Sequence, residues 1–353
     1  MKKFTYILIL LFVTAIALPI QTQAATAKKT TPKVWSAATP KDFTPLTWAK
    51  ARGIASFFKP QPGNGYLDYL TIIYLPYNQI RLIASSTPEM VWGEVQSPFT
   101  AENASNWAFD RMAIEQAKTQ NPGAQFVWNM PYFNITGQTT DLSLALKSNF
   151  ASSTYITSGS RPITDMLQSR RMLIIDNKTA TAKISDFDEQ TFVTSGDQAV
   201  EGFAPTVTIK GDGNGTSRLF VGVKPDGKEL VVYCSRGAYI EDASNALLAA
   251  GVPLENQLQA DGGASATCAY NLPGQYFVEP GRMLPHLMGA YPFLYHGTII
   301  NNGINVRNGP GTKYKSINKL AKGTEVTIYE EKSGWVRIDQ SDQWVLKTLI
   351  KAK

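Results

Sequence analysis

The residues with the clearest capacity for chemistry lie in the stretch ENQLQADGGASATCAY, residues 255–270. A single carboxylate, Asp261, ends an alternating segment and is followed by six small residues that begin with Gly262 and Gly263. Glycines admit backbone angles that other residues avoid, and they let a ligand or a second backbone come close. A carboxylate in that position can attack an electrophilic carbon or activate water. The pattern equally fits a tight corner in which Asp261 caps the turn.

Short β-type segments surround this stretch and must position it. Two segments read as helices: residues 100–120 combine an Asn/Ser-rich start with apolar residues at helical spacing, and residues 241–251 follow a similar pattern. Many strands and few helices predict an α+β domain, mixed but mostly β, over residues 60–295. The segments with the composition and flanking turns of strands include YLTIIYLP, AQFVWNMPYF, RRMLIID, PTVTIK, RLFVGVKP and KELVVYC.

The two ends of the chain differ from this domain. Residues 1–24 have a short positive start, an apolar core and small residues suited to cleavage, which is the pattern of a secretory signal peptide. An uncleaved anchor helix is the alternative, although the apolar part is short for a membrane span. Residues 25–59 begin with the run ATAKKTTPK and are predicted to be a linker and N-terminal extension. We therefore expect a secreted, periplasmic or envelope-associated protein without a transmembrane anchor after cleavage.

The composition narrows the classes of partner. The formal charge is +6, but no stretch interleaves Lys and Arg with aromatic residues as nucleic-acid surfaces do, so no nucleic acid is expected. An isolated cysteine pair in an exported chain, here Cys234 and Cys268, is more typical of a disulfide than of a metal site. Neither of the two histidines, His286 and His296, falls into a ligand spacing with the cysteines. No metal and no cofactor are predicted.

The C-terminal segment, residues 297–353, has short strands separated by turns and a recognisable motif. Its sequence INVRNGPGTKYKSINKLAKGTEVTIYEEKSGWVRI resembles the bacterial SH3-type (SH3b) family in the NVR-x-GP opening, the Gly323 turn and the Gly334-Trp335 step. The closing strand QWVLKTLI also matches, with Gln343 in place of the usual glycine. The resemblance implies a small all-β barrel that binds peptidoglycan or another cell-envelope polymer. A module that binds nothing is the alternative, because a fold does not fix a function.

The central segment resembles the phosphodiester glycosidase family, the relatives of N-acetylglucosamine-1-phosphodiester α-N-acetylglucosaminidase. FVWNMPYF carries the family's N-x-x-[YF]-F element, SRLFVGVKPDGKELVVYC resembles its Arg-containing hairpin, and QADGGASA resembles its N-L-D-G-G-G-S signature. A weaker match is GRMLPHLMGAY. The site residues that these matches imply are Asn129, Arg218, Asp261, Gly262, Gly263, Ser265 and Arg282.

The family's reaction breaks the bond between an anomeric carbon and a phosphodiester oxygen. A phosphate monoester leaves more easily than a sugar alkoxide, so protonation of the leaving group matters less than in ordinary glycosidases. The resemblance makes Asp261 and Arg218 the catalytic residues. Asp261 would stabilise the sugar cation, attack it or activate water, and Arg218 would hold the phosphate with its planar fork, helped by Arg282. Both arginines also fit ordinary ion-pair roles.

The remaining matched residues would bind substrate. Asn129 would orient sugar hydroxyls, although it also fits a buried residue that satisfies the backbone. Ser265 would donate a hydrogen bond to phosphate or sugar, together with the backbone N–H groups of Gly262 and Gly263. In this family arrangement Cys234 and Cys268 end neighbouring strands, which implies that they form the disulfide.

The sequence departs from the family pattern at several positions. Gln259 stands at the usual asparagine, Ala264 at the third glycine and Leu219 at a threonine. Cys234-Ser235 stands where the family commonly has a carboxylate. Two hypotheses follow. The chain is an exported hydrolase of sugar-1-phosphodiesters in an envelope or extracellular glycopolymer, or it is a catalytically reduced protein that uses the same cleft to bind carbohydrate or to assist envelope or exopolysaccharide assembly.

Overall fold

The structure, a computed structural model, describes most of the chain from Trp35 onward. The predicted signal peptide, residues 1–24, and the start of the predicted linker lie outside the described residues. No helix in the described part is long and apolar enough to cross a membrane. The described ranges are residues 35–84, 89–90, 94–134, 139–150, 153–160, 169–208, 215–272, 275–339 and 342–353.

Strands dominate the described residues between 44 and 292, here called the central domain. The helices described there are α1 (Ile114–Gln120), α2 (Glu189–Thr194) and α3 (Ile240–Ala249). The strands are β1 (Thr44–Ala51), β2 (Ile54–Pro60), β3 (Leu67–Tyr74), β4 (Asn78–Ala84), β5 (Glu89–Met90), β6 (Trp107–Asp110), β7 (Phe126–Trp128), β8 (Thr139–Asp141), β9 (Leu146–Phe150), β10 (Ser153–Thr157), β11 (Arg170–Asp176), β12 (Thr181–Asp186), β13 (Gln198–Phe203), β14 (Thr216–Val223), β15 (Glu229–Ala238), β16 (Gln257–Gln259), β17 (Cys268–Tyr270), β18 (Tyr276–Val278) and β19 (His286–Pro292). The predicted mostly β architecture with few helices is confirmed.

Two sheets form the body of the central domain. The main sheet has the order β1-β2-β3-β15-β14-β16-β13-β11-β12, with β9 added to β13 and β10 to β9. The second sheet has the order β18-β17-β7-β19-β4. The described strand pairs within both sheets are antiparallel. A small third sheet, β5-β6-β8, completes the set of strands described in this domain.

The alternation of side chains along β14 shows how the layers are built. Leu219 and Val221 point into a core shared with the second sheet, whereas Phe220 points the other way, into a core shared with α3. This is the period of two that an extended strand imposes. The outer face of the second sheet packs against α1, and α2 packs against β11 and β13. The order of layers is therefore α3, main sheet, second sheet and α1.

Two sequence predictions need correction. Residues 44–59, which we assigned to the extension before the domain, form β1 and nearly all of β2, and these two strands extend the main sheet. The helix predicted over residues 100–120 is wrong in its first part, because β6 lies there and pairs with β8, and only α1 is helical. Pairing with β8 gives the β6 backbone its hydrogen bonds and buries Ala108 and Phe109, so tertiary contacts override the local pattern. The helix predicted over residues 241–251 is confirmed as α3.

The C-terminal module has a small core of its own, and its first strand begins at Tyr295. Ile299, Ile304, Val306 and Val345 form its core. The strands of the module are β20 (Tyr295–Ile299), β21 (Ile304–Arg307), β22 (Ser316–Leu320), β23 (Glu325–Ile328), β24 (Glu330–Lys332), β25 (Trp335–Arg337), β26 (Trp344–Leu346) and β27 (Ile350–Ala352). They are arranged as β23-β20-β27 and β22-β21-β26-β25-β24, and closure of these two sheets into a barrel stays a prediction.

The module is docked on the central domain through Arg81 and Gln79 of β4. The Arg81 guanidinium donates to the Tyr329 hydroxyl at 2.5 Å and to Gln79 Oε1 at 2.6 Å. It also lies over the rings of Tyr291 and Tyr329, at 5.5 and 5.7 Å from their centroids. Gln79 Nε2 donates to Thr327 Oγ1 at 3.1 Å. These contacts make the junction a polar interface with shared aromatic surface, not a free linker.

Candidate functional site

Asp261 lies at the point where the chain crosses from the main sheet to the second sheet. It follows β16, whose neighbour Ala260 still donates from its backbone N–H to Leu219 O in the main sheet at 3.0 Å. The Asp261 N–H then donates to Met130 O, just beyond β7 of the second sheet, at 2.9 Å. A short 3-10 turn, Gly263–Ser265, leads from there into β17. The crossover, residues 261–266, is therefore fixed by backbone hydrogen bonds on both sides.

Three neighbours surround the Asp261 carboxylate with donors. Asn129 Nδ2 lies 3.4 Å from Asp261 Oδ2 and donates to the Ser265 carbonyl at 3.2 Å. The Ser265 side chain and the Gly262 backbone N–H also hydrogen-bond to the carboxyl group. Asn129 and Ser265 are both buried. In this arrangement they position Asp261, so direct contact of either side chain with substrate is not what the geometry favours.

The environment of Asp261 changes its acidity. Burial desolvates the carboxyl group and raises its pKa from the usual value near 3.8 to about 7. The hydrogen bonds from Ser265 and Asn129 and the charge of Arg282 act in the opposite direction but do not offset the desolvation. The residue as a whole is nevertheless only partly buried. A carboxyl group with a pKa near neutrality is suited to exchanging protons at neutral pH.

The two glycines after Asp261 are required for different reasons. A Cβ at position 262 would lie 2.9 Å from the Ser217 carbonyl oxygen, so only glycine permits this approach of β14. Gly263 has a φ of +60°, which side-chain-bearing residues rarely adopt, and a Cβ there would meet nothing within 4 Å. The space beside Gly263 is open because a cleft lies there.

That cleft holds about 480 Å³ and opens at the edge between the two sheets. Its walls come from the start of β14, the end of β15, the 3-10 turn and the segment after β18. Arg236 and Glu279 approach each other across it, with Arg236 Nη2 3.9 Å from Glu279 Oε2, and both side chains are at least half exposed. The lining residues are Thr216, Ser217, Arg236, Gly263, Ala264, Glu279, Pro280 and Gly281.

The two predicted arginines have different positions. Arg282 is exposed, directly follows the cleft residue Gly281, and its charge lowers the pKa of Asp261. Arg218 is buried, and its Nε donates to the Ala238 carbonyl at 3.2 Å. Because Arg218 is two residues from Phe220, it lies on the face of β14 that packs against α3. The hydrogen bonds described for the Asp261 carboxyl group thus come from residues other than Arg218, and its phosphate-binding role stays a prediction.

The predicted disulfide between Cys234 and Cys268 is present, with a Cα–Cα distance of 6.5 Å. Cys234 belongs to β15 of the main sheet and Cys268 begins β17 of the second sheet. The bond therefore joins the two sheets immediately after the crossover. It holds the layers together next to Asp261.

Two polar residues of the main sheet, one of them at the cleft, were not predicted from the sequence. Arg236 directly follows Cys234-Ser235, where the family commonly has a carboxylate. An arginine next to this departure from the motif is the sequence feature that could have identified it. Asp68 pairs with Ser235 across β3 and β15 and is buried. Its Oδ1 accepts hydrogen bonds from the Tyr233 hydroxyl at 2.6 Å and from Gln61 Nε2 at 2.7 Å. A carboxylate thus exists one strand away from the position where the motif lacks one, but only the strand pairing reveals it.

Comparisons with known proteins identify one part of the chain. No curated protein matches it. Among solved structures it is similar to a hypothetical protein from Synechocystis, with 12% identity and a TM-score of 0.39, covering 72% of this chain but only 64% of that one. It is also similar to the zebrafish N-acetylglucosamine-1-phosphodiester alpha-N-acetylglucosaminidase catalytic domain, auto-inhibited by its pro-peptide, with 13% identity, a TM-score of 0.36, and coverage of 72% of this chain and 87% of that one. Residues 302–351 match the bacterial SH3 domain family, which confirms the predicted C-terminal module.

Proposed function

We propose that the protein hydrolyses sugar-1-phosphodiester bonds in an envelope or extracellular glycopolymer, and that the C-terminal module holds it at that polymer. The observation that carries the proposal is the state of Asp261. A desolvated carboxyl group with a pKa of about 7 lies at a sheet crossover, two residues before Gly263, which lines an open cleft. Removing a carboxyl group from water costs free energy. A carboxylate that only caps a turn gains nothing from that cost.

The cleft fits the charge changes of this reaction. Breaking the bond leaves positive charge near the anomeric carbon and transfers negative charge to the departing phosphate. Ionised Asp261 supports the positive centre, attacks it, or takes a proton from water. Arg236 and Arg282 provide cations at the cleft, and each guanidinium matches the fork of phosphate oxygens. The reaction class is proposed from the motif resemblance, and Asp261, Arg236 and Arg282 are the groups proposed to carry it out.

The C-terminal module supports the choice of a polymeric substrate at the cell envelope. Bacterial SH3 domains generally bind cell-wall polymers, and residues 302–351 belong to that family. An enzyme that is held on its polymer meets the next bond at a high effective concentration. Peptidoglycan or an associated envelope polymer is therefore the proposed partner of the module, and export from the cell is proposed with it.

A specific observation favours the second hypothesis, a protein that binds carbohydrate without turnover. Position 234–235 lacks the carboxylate of the family pattern, and Asp68, which lies nearest in the strand pairing, is held by Tyr233 and Gln61. If the reaction needs two free carboxylates, the cleft keeps only its binding capacity. Hydrolysis and binding must therefore be measured separately.

The direct test is a panel of soluble glycosyl-1-phosphodiesters, including UDP-N-acetylglucosamine, incubated with the purified protein. We expect release of the reducing sugar together with a phosphate monoester from at least one member. Saturable binding of a panel member without release of sugar would support the second hypothesis. Neither binding nor hydrolysis across the panel would contradict both.

A further inference from the structure

We propose that Trp48 and Tyr69 form a second binding position beside the Asp261 cleft, which takes the neighbouring sugar unit of a polymeric substrate. The inference rests on the proposed function, because it assumes that the cleft binds a glycosyl phosphate. It goes further by assigning a row of three aromatic side chains, Trp48, Tyr69 and Phe277, to the next sugar. This aromatic row lies at the same edge between the two sheets as the cleft.

Two pairs of side chains join the sheets at this edge. At the cleft, Arg236 Nη2 of the main sheet lies 3.9 Å from Glu279 Oε2, just beyond β18 of the second sheet. Tyr69 of β3 stacks on Phe277 of β18, with ring centroids 4.7 Å apart and ring planes 6° apart. Phe277 is two residues before Glu279, so the stacked pair follows the charged pair at a spacing of roughly 7 Å along an extended chain.

Tyr69 is also close to Arg236 within the main sheet. Tyr69 pairs with Cys234 across β3 and β15, and Arg236 is two residues further along β15. Diagonal neighbours at this spacing are within reach of long and aromatic side chains. Burial raises the pKa of the Tyr69 hydroxyl, and the positive charge of Arg236 acts in the opposite direction. The aromatic row therefore continues from the charged wall of the cleft.

Trp48 is the accessible end of the aromatic row. It lies on β1, the edge strand of the main sheet, and is 47% exposed. Its ring meets Phe277 edge to face at 5.8 Å and Tyr270 at 6.1 Å between centroids. The Tyr270 hydroxyl donates to the carbonyl of Ala49, the next residue of β1, at 2.7 Å. These contacts hold the indole in place before any ligand arrives and leave nearly half of the residue open.

The groups at this edge match a sugar that is linked through phosphate. The negative face of an aromatic ring attracts the C–H groups of a sugar ring, and Trp48 presents such a ring to solvent. Within the described part of the chain no residue hydrogen-bonds to the Tyr69 hydroxyl, so this group can donate to a sugar oxygen. Arg236 lines the cleft and is also close to Tyr69, where its guanidinium can bind the phosphate that joins two sugars.

The test measures affinity as a function of ligand length. Oligomers of N-acetylglucosamine 1-phosphate with one, two and four units are titrated into the Asp261→Asn protein by calorimetry, so that the ligand is not consumed. We expect the two-unit ligand to bind about five- to tenfold more tightly than the one-unit ligand. In the same background Trp48→Ala should remove most of that gain, whereas Trp48→Phe, which keeps an aromatic ring, should lose less of it. Arg236→Gln should reduce the gain and its dependence on salt.

Tryptophan fluorescence gives a second readout that does not depend on the folding of Trp48→Ala. The two-unit ligand should change the emission of the Asp261→Asn protein, because a sugar on the exposed indole displaces water from it. The change should be much smaller with the one-unit ligand, and much smaller with either ligand in the Trp48→Phe variant. An equal change in the Trp48→Phe variant would show that the ligand does not reach Trp48.

Leu254→Ala is the matched control, because Leu254 is similarly exposed at 46% but lies before β16, at the other end of that strand from Asp261. It should leave the gain unchanged. Equal affinity for one and two units, a gain that survives in Trp48→Ala, or no binding of any oligomer would overturn the inference, even if the wild type hydrolyses small glycosyl-1-phosphodiesters. Binding that follows the expected pattern in a protein that fails to hydrolyse these ligands would instead contradict only the proposed reaction.

Discussion

At the scale of a single residue, burial and hydrogen bonding have opposite effects on the pKa of Asp261. Four groups stabilise its ionised form, yet burial is stronger and raises the pKa of the carboxyl group to about 7. The folded protein therefore holds a proton on Asp261 at pH values where the unfolded chain has lost it. This has a consequence for stability that is opposite to the usual effect of a paired carboxylate.

The first prediction concerns that stability. Because the pKa of Asp261 is higher in the folded protein than the ordinary 3.8, the folded state binds more protons between about pH 4 and pH 7. The contribution of Asp261 to the free energy of unfolding therefore falls as pH rises through this window. Asp261→Asn should unfold at a higher urea concentration than the wild type at pH 8, and the difference should shrink towards pH 4.5. A variant that is less stable than the wild type at pH 8 would show that Asp261 is a structural cap.

The second prediction concerns Arg282. Its charge lowers the pKa of Asp261, so Arg282→Gln should raise that pKa. If the ionised carboxylate acts in the reaction, kcat/KM rises with pH, and the midpoint of that rise should move to higher pH in the variant. Arg282→Lys keeps the charge and should move the midpoint less. An unchanged midpoint in Arg282→Gln would mean that another group controls the pH profile.

Sequence motifs singled out Asp261 and its glycines, but they could not say which groups the neighbouring polar residues contact. The type of residue at Asn129 and Ser265 indicates hydrogen bonding, and nothing in the sequence says whether the partner is a ligand or Asp261. The structure shows both side chains turned to the carboxyl group. Arg218 illustrates the same limit, because the face on which a strand residue lies depends on the sheet it joins.

At the scale of elements, the site depends on how two sheets are joined. The main sheet supplies β14, β15 and β16, and the second sheet supplies β7 and β17. Apolar, β-branched and aromatic composition between turn signals was enough to predict β11, β14 and β15. The strand predicted at residues 205–210 is not present in its described part, and β13 lies just before it, at Gln198–Phe203. Every residue of β13 is buried, but its sequence QAVEGF includes Gln198, Glu201 and Gly202, which are not residues typical of a buried strand.

The third prediction concerns the disulfide between these sheets. Cys234 and Cys268 are 34 positions apart, and a crosslink over such a loop stabilises a protein by about 3–4 kcal/mol in the chain-entropy model. Replacing both cysteines by alanine should lower the free energy of unfolding by about that amount. The wild type with reductant should unfold like the variant, while the variant itself should not respond to reductant. A difference below about 1 kcal/mol would mean that the crossover is held by packing and backbone hydrogen bonds alone.

At the scale of the whole molecule, the site and the C-terminal module lie towards opposite ends of β19. Met288 of β19 pairs with Trp128, which directly precedes Asn129, whereas Tyr291 pairs with Gln79 beside the module. The module therefore docks away from the Asp261 cleft.

The motif of the module could be predicted from the sequence because the turn glycines and the Gly334-Trp335 step lie close together along the chain. The docking of the module through Arg81 could not be predicted, because the contacts join residues about 250 positions apart.

The fourth prediction follows from this separation. Deleting residues 295–353 should leave the turnover of a soluble glycosyl-1-phosphodiester nearly unchanged but strongly reduce sedimentation with cell-wall preparations. The deletion uncovers Arg81 and Tyr291, so circular dichroism and a cooperative unfolding transition must first show that the truncated protein is folded. A folded truncated protein that has lost turnover of the soluble substrate would place the module in the active site and contradict the proposed division of roles.

The most direct test of the central claim is the turnover of Asp261→Asn on the best glycosyl-1-phosphodiester of the panel. The substitution keeps the size of the side chain and most of its hydrogen bonds while it removes the negative charge. The account predicts a loss of about a thousandfold or more in kcat, which corresponds to roughly 4 kcal/mol of transition-state stabilisation, in a protein that is at least as stable as the wild type at pH 8. Equal turnover by wild type and variant would contradict it and would show that the glycine-flanked carboxylate only forms a turn.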